Sequence, residues 1–417
     1  MSDSKLFSQL DLPNGAIIKN RICKAAMEEN MGQYGQVPGK QLHTLYSQWS
    51  SGGVGLILTG NVMVAPNAMT GAGGVVLQQG SDLEPFEKWA KSATKNNTHC
   101  WMQLSHPGRQ IYAALGEQAL SPSDVSLDLG GFSKMFAQPR ALTENEIEEI
   151  IDRFGQSAAL AERAGFTGVQ IHAAHGYLIS QFLSPLVNRR EDKYGGELSN
   201  RARFLFEVVT RVREQVTSNF CVSVKLNSAD FQKGGFSTEE AQWVVERLNS
   251  KRVDLVELSG GSYESPAMQG NPADDSTGRR EAYFIDFARE VAAVARMPIM
   301  VTGGILRRSV AENALTPEGG LPAVDMVGIA TALAYYPDLP DQWKTGVRVD
   351  VQIPKINWKN KTLAALATMA LTKYQLDRAS KGKHCSPSFS PIFAIMKDRF
   401  KVSKQTKRYR KWRQSTA

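Results

Sequence analysis

The sequence is poor in the features that define several large classes of protein. It has only four cysteines in 417 residues, and none belongs to a CxxC pair: Cys23, Cys100, Cys221 and Cys385. A disulfide framework is therefore not expected, and this cysteine usage is typical of a reducing compartment. No apolar run reaches the roughly 20 residues of a membrane-spanning helix, and the polar first residues contain no signal-peptide core. We expect a cytoplasmic protein.

An excess of positive charge is also absent, except near the C-terminus. Residues 341–417 contain 18 Lys and Arg against 4 Asp, a net charge of +14, whereas residues 1–340 have a net charge of −6. Within this extension, residues 361–380 predict an amphipathic helix, and nine Lys and Arg follow from Lys397 onward. Three interpretations stay open: a helix packed on the main body with a solvated basic end, contact with an anionic membrane surface, and nucleic-acid binding.

Eight short runs are β-branched-rich and bounded by turn residues or helical patterns, which is typical of strands buried on both faces. They are residues 22–27, 54–59, 99–104, 168–172, 221–226, 254–259, 298–303 and 325–330. Amphipathic stretches between them predict helices, for example over residues 83–97, 143–165 and 237–251. Thr143 with Glu146, and Ser237 with Glu240, have the spacing of helix capping boxes.

This alternation of strands and helices predicts an α/β fold with a parallel sheet. Eight units within about 310 residues favour a closed (β/α)₈ TIM barrel with insertions. We assign the barrel to residues 1–340 and a basic helical extension to residues 341–417. A doubly wound open sheet is the alternative, but it would require a GxGxxG turn after an early strand, and none is present.

In such a barrel the chemistry is found where the strands end, at the C-terminal face. The residues at these positions form a small polar ring with few carboxylates: Met27, Glu28, Thr59, Gly60, Asn61, Gln103, His172, His175, Lys225, Ser259, Gly260, Gly261, Thr302, Gly303, Gly304 and Thr331. Glycine turns after late strands suit phosphate, because backbone N–H groups can converge on an anion without a Cβ in the way. An ordinary tight turn is the other interpretation.

His172 and His175 lie where the fourth strand ends, and Tyr177 follows them. A metal site would need a third ligand that the other strand ends do not obviously supply. A buried histidine pair without function is a second interpretation. In the third, two imidazoles donate hydrogen bonds to one substrate oxygen and stabilise the charge that develops there. Tyr177 would then be a proton source for an enolate-like carbon.

Gln103 and Lys225 suggest a cofactor. The Gln103 amide could pair with an amide-like edge, and Lys225 could lie beside a group that accumulates negative charge. Together with a phosphate site, these features describe flavin mononucleotide, FMN. Pyridoxal phosphate, with Lys225 as its Schiff-base lysine, is the alternative.

At these residues the sequence resembles the Old Yellow Enzyme family of flavin-dependent ene-reductases, as a divergent member of the bacterial type. The resemblance covers residues 5–340 and includes CWMQLSHPGRQ and GFTGVQIHAAHGYLISQFLSPLVNRREDKYGGELSNRARF. It implies FMN as cofactor, NADPH or NADH as reductant, and a small unsaturated carbonyl or nitro compound as substrate. We also allow for a homo-oligomer.

The resemblance also implies roles for individual residues. His172 and His175 would hydrogen-bond the substrate oxygen, and Tyr177 would protonate Cα while the flavin hydride goes to Cβ. Gln103 would bind the pyrimidine edge, and Lys225 replaces the Arg that usually lies near flavin N1 and O2. The other residues implied to contact the cofactor are Ala26, Met27, Glu28, Asn61, Gly303, Gly304, Ala330 and Thr331.

Three positions depart from the family pattern. Glu28 stands where a small residue usually contacts the flavin, and the second strand ends in TGN at Asn61. After the eighth strand, Ala330 and Thr331 replace the usual Gly-Arg pair, whose Arg grips the phosphate. These changes keep open an alternative function, a flavin- or ligand-binding barrel with little turnover.

Overall fold

The computed structural model describes residues 4–261, Glu264 and residues 277–416. Within them the strands are β1 (Leu10–Asp11), β2 (Ile17–Ile18), β3 (Ile22–Lys24), β4 (Leu56–Leu58), β5 (Val62–Met63), β6 (Val75–Val76), β7 (His99–Ser105), β8 (Ala119–Ser121), β9 (Pro139–Ala141), β10 (Gly168–Ala173), β11 (Cys221–Asn227), β12 (Leu255–Ser259), β13 (Ile299–Thr302) and β14 (Met326–Ile329). All eight predicted strands are present, within a few residues of their expected bounds.

The helices alternate with these strands. They are α1 (Lys40–Ser51), α2 (Glu84–Ala93), α3 (Glu144–Arg163), α4 (Leu178–Leu183), α5 (Leu198–Arg201), α6 (Arg203–Gln215), α7 (Thr238–Leu248), α8 (Thr277–Ala292), α9 (Arg308–Ala314), α10 (Thr331–Tyr335), α11 (Leu339–Thr345), α12 (Lys361–Ala379) and α13 (Pro391–Thr416). Both predicted capping boxes are formed, at the starts of α3 and α7. The TENE and STEE segments begin helices because the side chains of each box satisfy backbone N–H groups of the first turn.

The parallel strands close into a barrel. In the described part of the chain, eight strands pair in the order β3, β4, β7, β10, β11, β12, β13, β14, and β14 returns to β3. The short strands β5 and β6 extend the sheet beside β7. The predicted (β/α)₈ TIM barrel is therefore confirmed.

The barrel interior has an apolar end and a polar end. Leu10, Leu12 and Ile18 of the N-terminal hairpin β1–β2 pack against the first residues of the strands, including Cys221 and Leu255. Farther along the strands, the buried side chains include the polar ones of Gln103, Gln170, Lys225 and Glu257. The hairpin therefore closes the N-terminal end of the barrel, and the polar layer faces the C-terminal end.

The C-terminal extension is packed on the barrel. Ala394 of α13 packs against Ala370 and Leu371 of α12. Farther along α13, Tyr409 is fully buried, and its hydroxyl donates a hydrogen bond of 2.9 Å to the backbone oxygen of Pro66. Tyr409 also belongs to an apolar cluster formed by residues of β5, β6, β8 and the loops beside them: Met63, Met69, Ala72, Val76, Ile111, Leu115 and Ala119. The helix predicted over residues 361–380 is α12, and the basic end that was expected to be solvated belongs to α13 and is docked along one face.

In the described part of the chain, no helix combines the length and the hydropathy needed to cross a bilayer.

Candidate active site

The end of β10 brings His172, His175 and Tyr177 into one cluster. The ring centroids of His172 and His175 are 5.1 Å apart, and those of His172 and Tyr177 are 4.8 Å apart. His175 has a φ of +61°, and its backbone N–H donates to Oδ1 of Asn227 at 3.0 Å. This left-handed turn folds the chain back after the strand, so that the three side chains share one end of the barrel.

Hydrogen bonds restrict how each imidazole can act. Nδ1 of His172 accepts a hydrogen bond from the backbone N–H of Ala174 at 3.2 Å. Its proton is therefore on Nε2, which can donate to a substrate oxygen. Nε2 of His175 lies 2.9 Å from Oγ of Ser259. When the serine hydroxyl donates in this contact, His175 carries its proton on Nδ1.

Both imidazoles are held neutral. Burial lowers the pKa of His172 well below its ordinary value, and the nearby Lys225 ammonium lowers it further. Burial, Lys225 and His172 lower the pKa of His175 in the same way. A neutral imidazole stabilises developing negative charge by donating a hydrogen bond, and it does not transfer its proton to the substrate.

A chain of buried polar side chains links the four neighbouring strands β7, β10, β11 and β12. Nε2 of Gln103 donates to Oε1 of Gln170 at 2.8 Å, and Nε2 of Gln170 donates to Oε2 of Glu257 at 2.8 Å. Nζ of Lys225 donates to Oε1 of the same carboxylate at 2.8 Å. The chain follows the strand register, which places Gln170 opposite Gln103 and Lys225 opposite Glu257.

The carboxylate at the end of this chain fixes the orientation of both amides. Glu257 can only accept, so Gln170 must direct its NH₂ group to it and its oxygen to Gln103. Gln103 consequently points its NH₂ group at Gln170 and leaves Oε1 as an acceptor. Lys225 keeps its predicted place in the fifth strand, but its charge is compensated by Glu257.

Sequence reasoning missed Glu257 and Gln170. A signal for Glu257 was available, because it is the one charged residue in the buried run LVELS, residues 255–259. A buried carboxylate requires a partner, and Lys225 lies in the neighbouring strand. Gln170 offered no comparable signal, since an uncharged amide in a strand has many ways to be satisfied.

Glu28 and Asn61 are linked through a third residue. Oε1 of Glu28 accepts a hydrogen bond of 2.5 Å from the hydroxyl of Thr70, and Nδ2 of Asn61 donates to the same hydroxyl oxygen at 3.2 Å. The contact joins the end of the first barrel strand to the loop between β5 and β6. The partner found for Glu28 is thus a hydroxyl. Ala26 and Met27, just before it, are half-buried.

The end of the seventh barrel strand, β13, forms the expected glycine turn. Gly303 and Gly304 have φ values of 158° and 62°, which favour residues without a Cβ. Oγ1 of Thr302 is buried and has no hydrogen-bond partner within the described residues. After β14, Ala330 precedes the short helix α10, and Thr331 is its first residue.

Comparison with known proteins places this barrel in a family. Residues 5–350 match the model of the NADH:flavin oxidoreductase / NADH oxidase family. The chain belongs to this family. The predicted resemblance to Old Yellow Enzyme is therefore confirmed, and the chain is a flavin oxidoreductase that takes hydride from NAD(P)H.

Relatives with curated names include two fungal enzymes. The chain is 37% identical over 361 residues to the NADH-dependent flavin oxidoreductase nadA of Aspergillus parasiticus, covering 84% of this chain and 80% of that protein. It is 36% identical over 347 residues to the NADH-dependent flavin oxidoreductase iliE of Hypocrea jecorina, covering 78% and 85%.

Solved structures share the fold. A 2-naphthoyl-CoA reductase superposes with a TM-score of 0.74 at 26% identity, covering 82% of this chain and 52% of that chain. An Old Yellow Enzyme homologue from Zymomonas mobilis superposes with a TM-score of 0.69 at 22% identity, covering 84% and 95%.

FMN is the cofactor of this family, and the residues present fit it. The positive-φ glycines Gly303 and Gly304 leave room for an anion beside the backbone. The unpartnered hydroxyl of Thr302 offers a buried hydrogen bond at the same turn. Gln103 is oriented with an acceptor and a second N–H that suit an imide edge.

Proposed function

We propose that the protein reduces the activated C=C bond of α,β-unsaturated carbonyl or nitro compounds. The observation that carries this proposal is the cluster of His172, His175 and Tyr177, in which the His172 tautomer is fixed by the Ala174 N–H. In this cluster, two histidines that can donate hydrogen bonds to one substrate oxygen lie beside Tyr177, whose phenol can release a proton.

We assign the cofactor contacts from the resemblance to the family. Gln103 and Lys225 would hold the pyrimidine side of FMN, and Gly303, Gly304 and Thr331 would hold its phosphate. The second strand end, with Asn61 linked to Glu28, would border the ring, together with Ala26, Met27 and Ala330. When bound, FMN supplies a hydride that it has received from NAD(P)H.

Substrate activation is assigned to the imidazoles. His172, through Nε2–H, and His175 would donate to the carbonyl or nitro oxygen and withdraw electron density from the conjugated double bond. The two rings are neutral, so neither loses its proton to the oxygen. This arrangement is worth several kcal/mol when donors are preorganised in a site that excludes water.

Proton delivery is assigned to Tyr177. Tyr177, whose ring packs edge-on against that of His172, would give its proton to Cα as the hydride reaches Cβ. The C=C double bond thereby becomes a C–C single bond, and two C–H bonds are formed. The tyrosinate recovers its proton from solvent.

The reductant is proposed to be NADH. The relatives at 37% and 36% identity are both named NADH-dependent flavin oxidoreductases. A comparison of flavin reduction by NADH and NADPH, measured as loss of flavin absorption without oxygen, tests this choice. Faster reduction by NADPH at equal concentration would contradict it.

The experiment for the reaction is a panel of acceptors. The reduced protein should be reoxidised without oxygen by enones, maleimides or nitroalkenes, and the product should be the saturated compound. Reduction by NADH without reoxidation by any of these acceptors would instead support the alternative, a flavin-binding barrel with little turnover.

A further inference from the structure

The outward face of α13 is apolar over its first three turns. Ile392, Phe393, Met396 and Phe400 are 60%, 63%, 60% and 76% exposed. Their spacing of three to four residues places them on one side of the helix. Single exposed apolar residues are ordinary in proteins, whereas a contiguous group of four large ones marks a surface that binds something.

The same face becomes basic farther along. Arg399, Lys404, Lys407, Arg410 and Lys411 are exposed, and within the described residues none of them has an ion-pair partner. The one acidic residue of α13, Asp398, lies near Lys373 and is about a quarter exposed. The outward face of α13, defined as these four apolar and five basic residues, therefore carries no negative charge.

The inward side of the helix is already occupied. Ala394 packs on α12, Nε2 of Gln405 donates to the backbone oxygen of Asn30 at 2.8 Å, and Tyr409 is buried among the barrel loops. Arg413 pairs with Glu117 at 2.8 Å. These contacts fix which side of α13 is presented to the surroundings, so the exposed face is a defined surface.

We propose that the outward face of α13 binds the surface of an anionic membrane. A helix that combines Phe and Met with Lys and Arg can lie in the plane of the bilayer surface, with its apolar side chains at the headgroup–acyl boundary. Its basic side chains then contact anionic lipid headgroups. The protein would associate as a peripheral protein, through this helix.

Charge and composition favour a membrane over other occupants. A second copy of the chain would bring five more unpaired cations against the first five. A nucleic acid would satisfy the cations, but its phosphate backbone offers no apolar volume in which Ile392 and Met396 could be buried. An anionic bilayer complements both halves of the face.

Vesicle sedimentation of the full-length holoprotein tests the proposal. The protein should bind phosphatidylcholine vesicles that contain phosphatidylserine, and should bind them more weakly as salt is raised. Binding to phosphatidylcholine alone should be far weaker. The double variant Lys404→Gln/Lys407→Gln should lose about twenty-five-fold in binding, since each charge near the surface is worth about five-fold.

A second double variant tests the apolar half. Phe393→Ser/Phe400→Ser should weaken vesicle binding by at least about ten-fold, because two buried aromatic rings are removed. Val347→Ser and Lys344→Gln, exposed residues outside α13, are matched controls that should bind as the unchanged protein does. Circular dichroism and flavin content should be the same for all variants.

Three results would overturn the proposal. The first is no sedimentation with phosphatidylserine vesicles at low salt. The second is a concentration-dependent dimer that Phe393→Ser/Phe400→Ser dissociates while vesicles are ignored, which would assign the face to a second copy. The third is tight binding of an oligonucleotide that depends on the lysines alone, together with no vesicle binding.

Discussion

At the scale of single residues, the Tyr177 hydroxyl is expected to serve one half of the catalytic cycle and not the other. Tyr177→Phe should slow reduction of an enone by about 10²–10⁴-fold, the loss typical when a general acid is removed. Flavin reduction by NADH should keep its rate, because that step transfers a hydride and needs no proton from Tyr177. Stopped-flow absorption of the flavin measures the two half-reactions separately.

The variant Tyr34→Phe is the control for Tyr177→Phe. Tyr34 is 53% exposed, and Tyr34→Phe should leave both half-reactions unchanged. If Tyr177→Phe slowed both by the same factor, its role would be structural.

Lys225 and Glu257 form a buried pair whose net charge is zero. Glu257→Gln would leave the ammonium uncompensated beside the proposed flavin site, and positive charge favours the electron-rich reduced flavin. The flavin reduction potential should therefore rise by tens of millivolts. A charge at an effective dielectric constant of about 20 contributes a few kcal/mol at most, and roughly 30 mV corresponds to 1.4 kcal/mol for two electrons.

The reverse change and the double variant separate charge from structure. Lys225→Met should lower the potential, whereas Lys225→Met/Glu257→Gln restores a neutral pair and should return it close to its original value. Glu257→Gln alone should also lose about 3–5 kcal/mol of stability, because it leaves a buried charge unpaired. A double variant with the potential of either single variant would show that charge is not the cause.

At the scale of elements, the turn after β13 gives a prediction for cofactor affinity. Gly304 has a φ of +62°, a conformation that costs about 1–2 kcal/mol for a residue with a Cβ. Gly304→Ala should therefore displace the turn and weaken FMN binding at least about five-fold, as measured by titrating apoprotein against flavin fluorescence.

A glycine with similar geometry serves as the control. Gly80 has a φ of +82°, and a Cβ there would meet no atom within 4 Å. Gly80→Ala should lower thermal stability by a similar amount and leave FMN affinity intact. Equal FMN affinities in both variants would place the phosphate away from the β13 turn.

The strands and the capping boxes of the helices could be predicted because their causes are local. A strand buried on both faces must be apolar along its length, and a capping box needs only two residues three apart. The docking of α13 could not be predicted in this way. Its inner face is made by Ala394, Gln405 and Tyr409. No periodic pattern in the sequence marks these three residues as buried among the basic residues around them.

The candidate site was predictable to a different degree at each residue. The cluster of His172, His175 and Tyr177 could be predicted from a short motif at the end of a strand. In a barrel, residues at that position lie at the C-terminal face. The contacts of Glu28 with Thr70 and of Lys225 with Glu257 depend on partners at least 32 residues away. The register between β11 and β12 sets the pairing of Lys225 with Glu257, whereas the contact of Glu28 with Thr70 depends on the path of the loop between β5 and β6.

At the scale of the whole molecule, the histidines predict how stability depends on pH. Burial lowers the pKa of five of the six: His43, His99, His106, His172 and His175. For His106 it falls to about 3. Below about pH 6.5 the unfolded chain therefore takes up protons that the folded chain does not. Stability should be fully present above that pH and should fall as the pH decreases toward 5.

Urea unfolding at several pH values measures this loss. Each fully buried histidine contributes up to about 1.4 kcal/mol per pH unit. His106→Gln should reduce the slope by about that amount, whereas His384→Gln, at an exposed position, should leave it unchanged. Identical slopes for the two variants would mean that His106 is protonated in the folded protein.

The long reach of α13 has a consequence for biosynthesis. Tyr409 covers a group of apolar loop residues, and it is 343 residues away from its hydrogen-bond partner Pro66. At a synthesis rate of about 5–20 residues per second, roughly 20–70 s pass between the emergence of the two. Until Tyr409 is made, the cluster that contains Met63, Met69 and Ile111 lacks the cover that this side chain provides. A ribosome-bound chain halted before residue 409 should therefore be a client for chaperones that hold exposed apolar surface, and release from them should coincide with the arrival of this tyrosine.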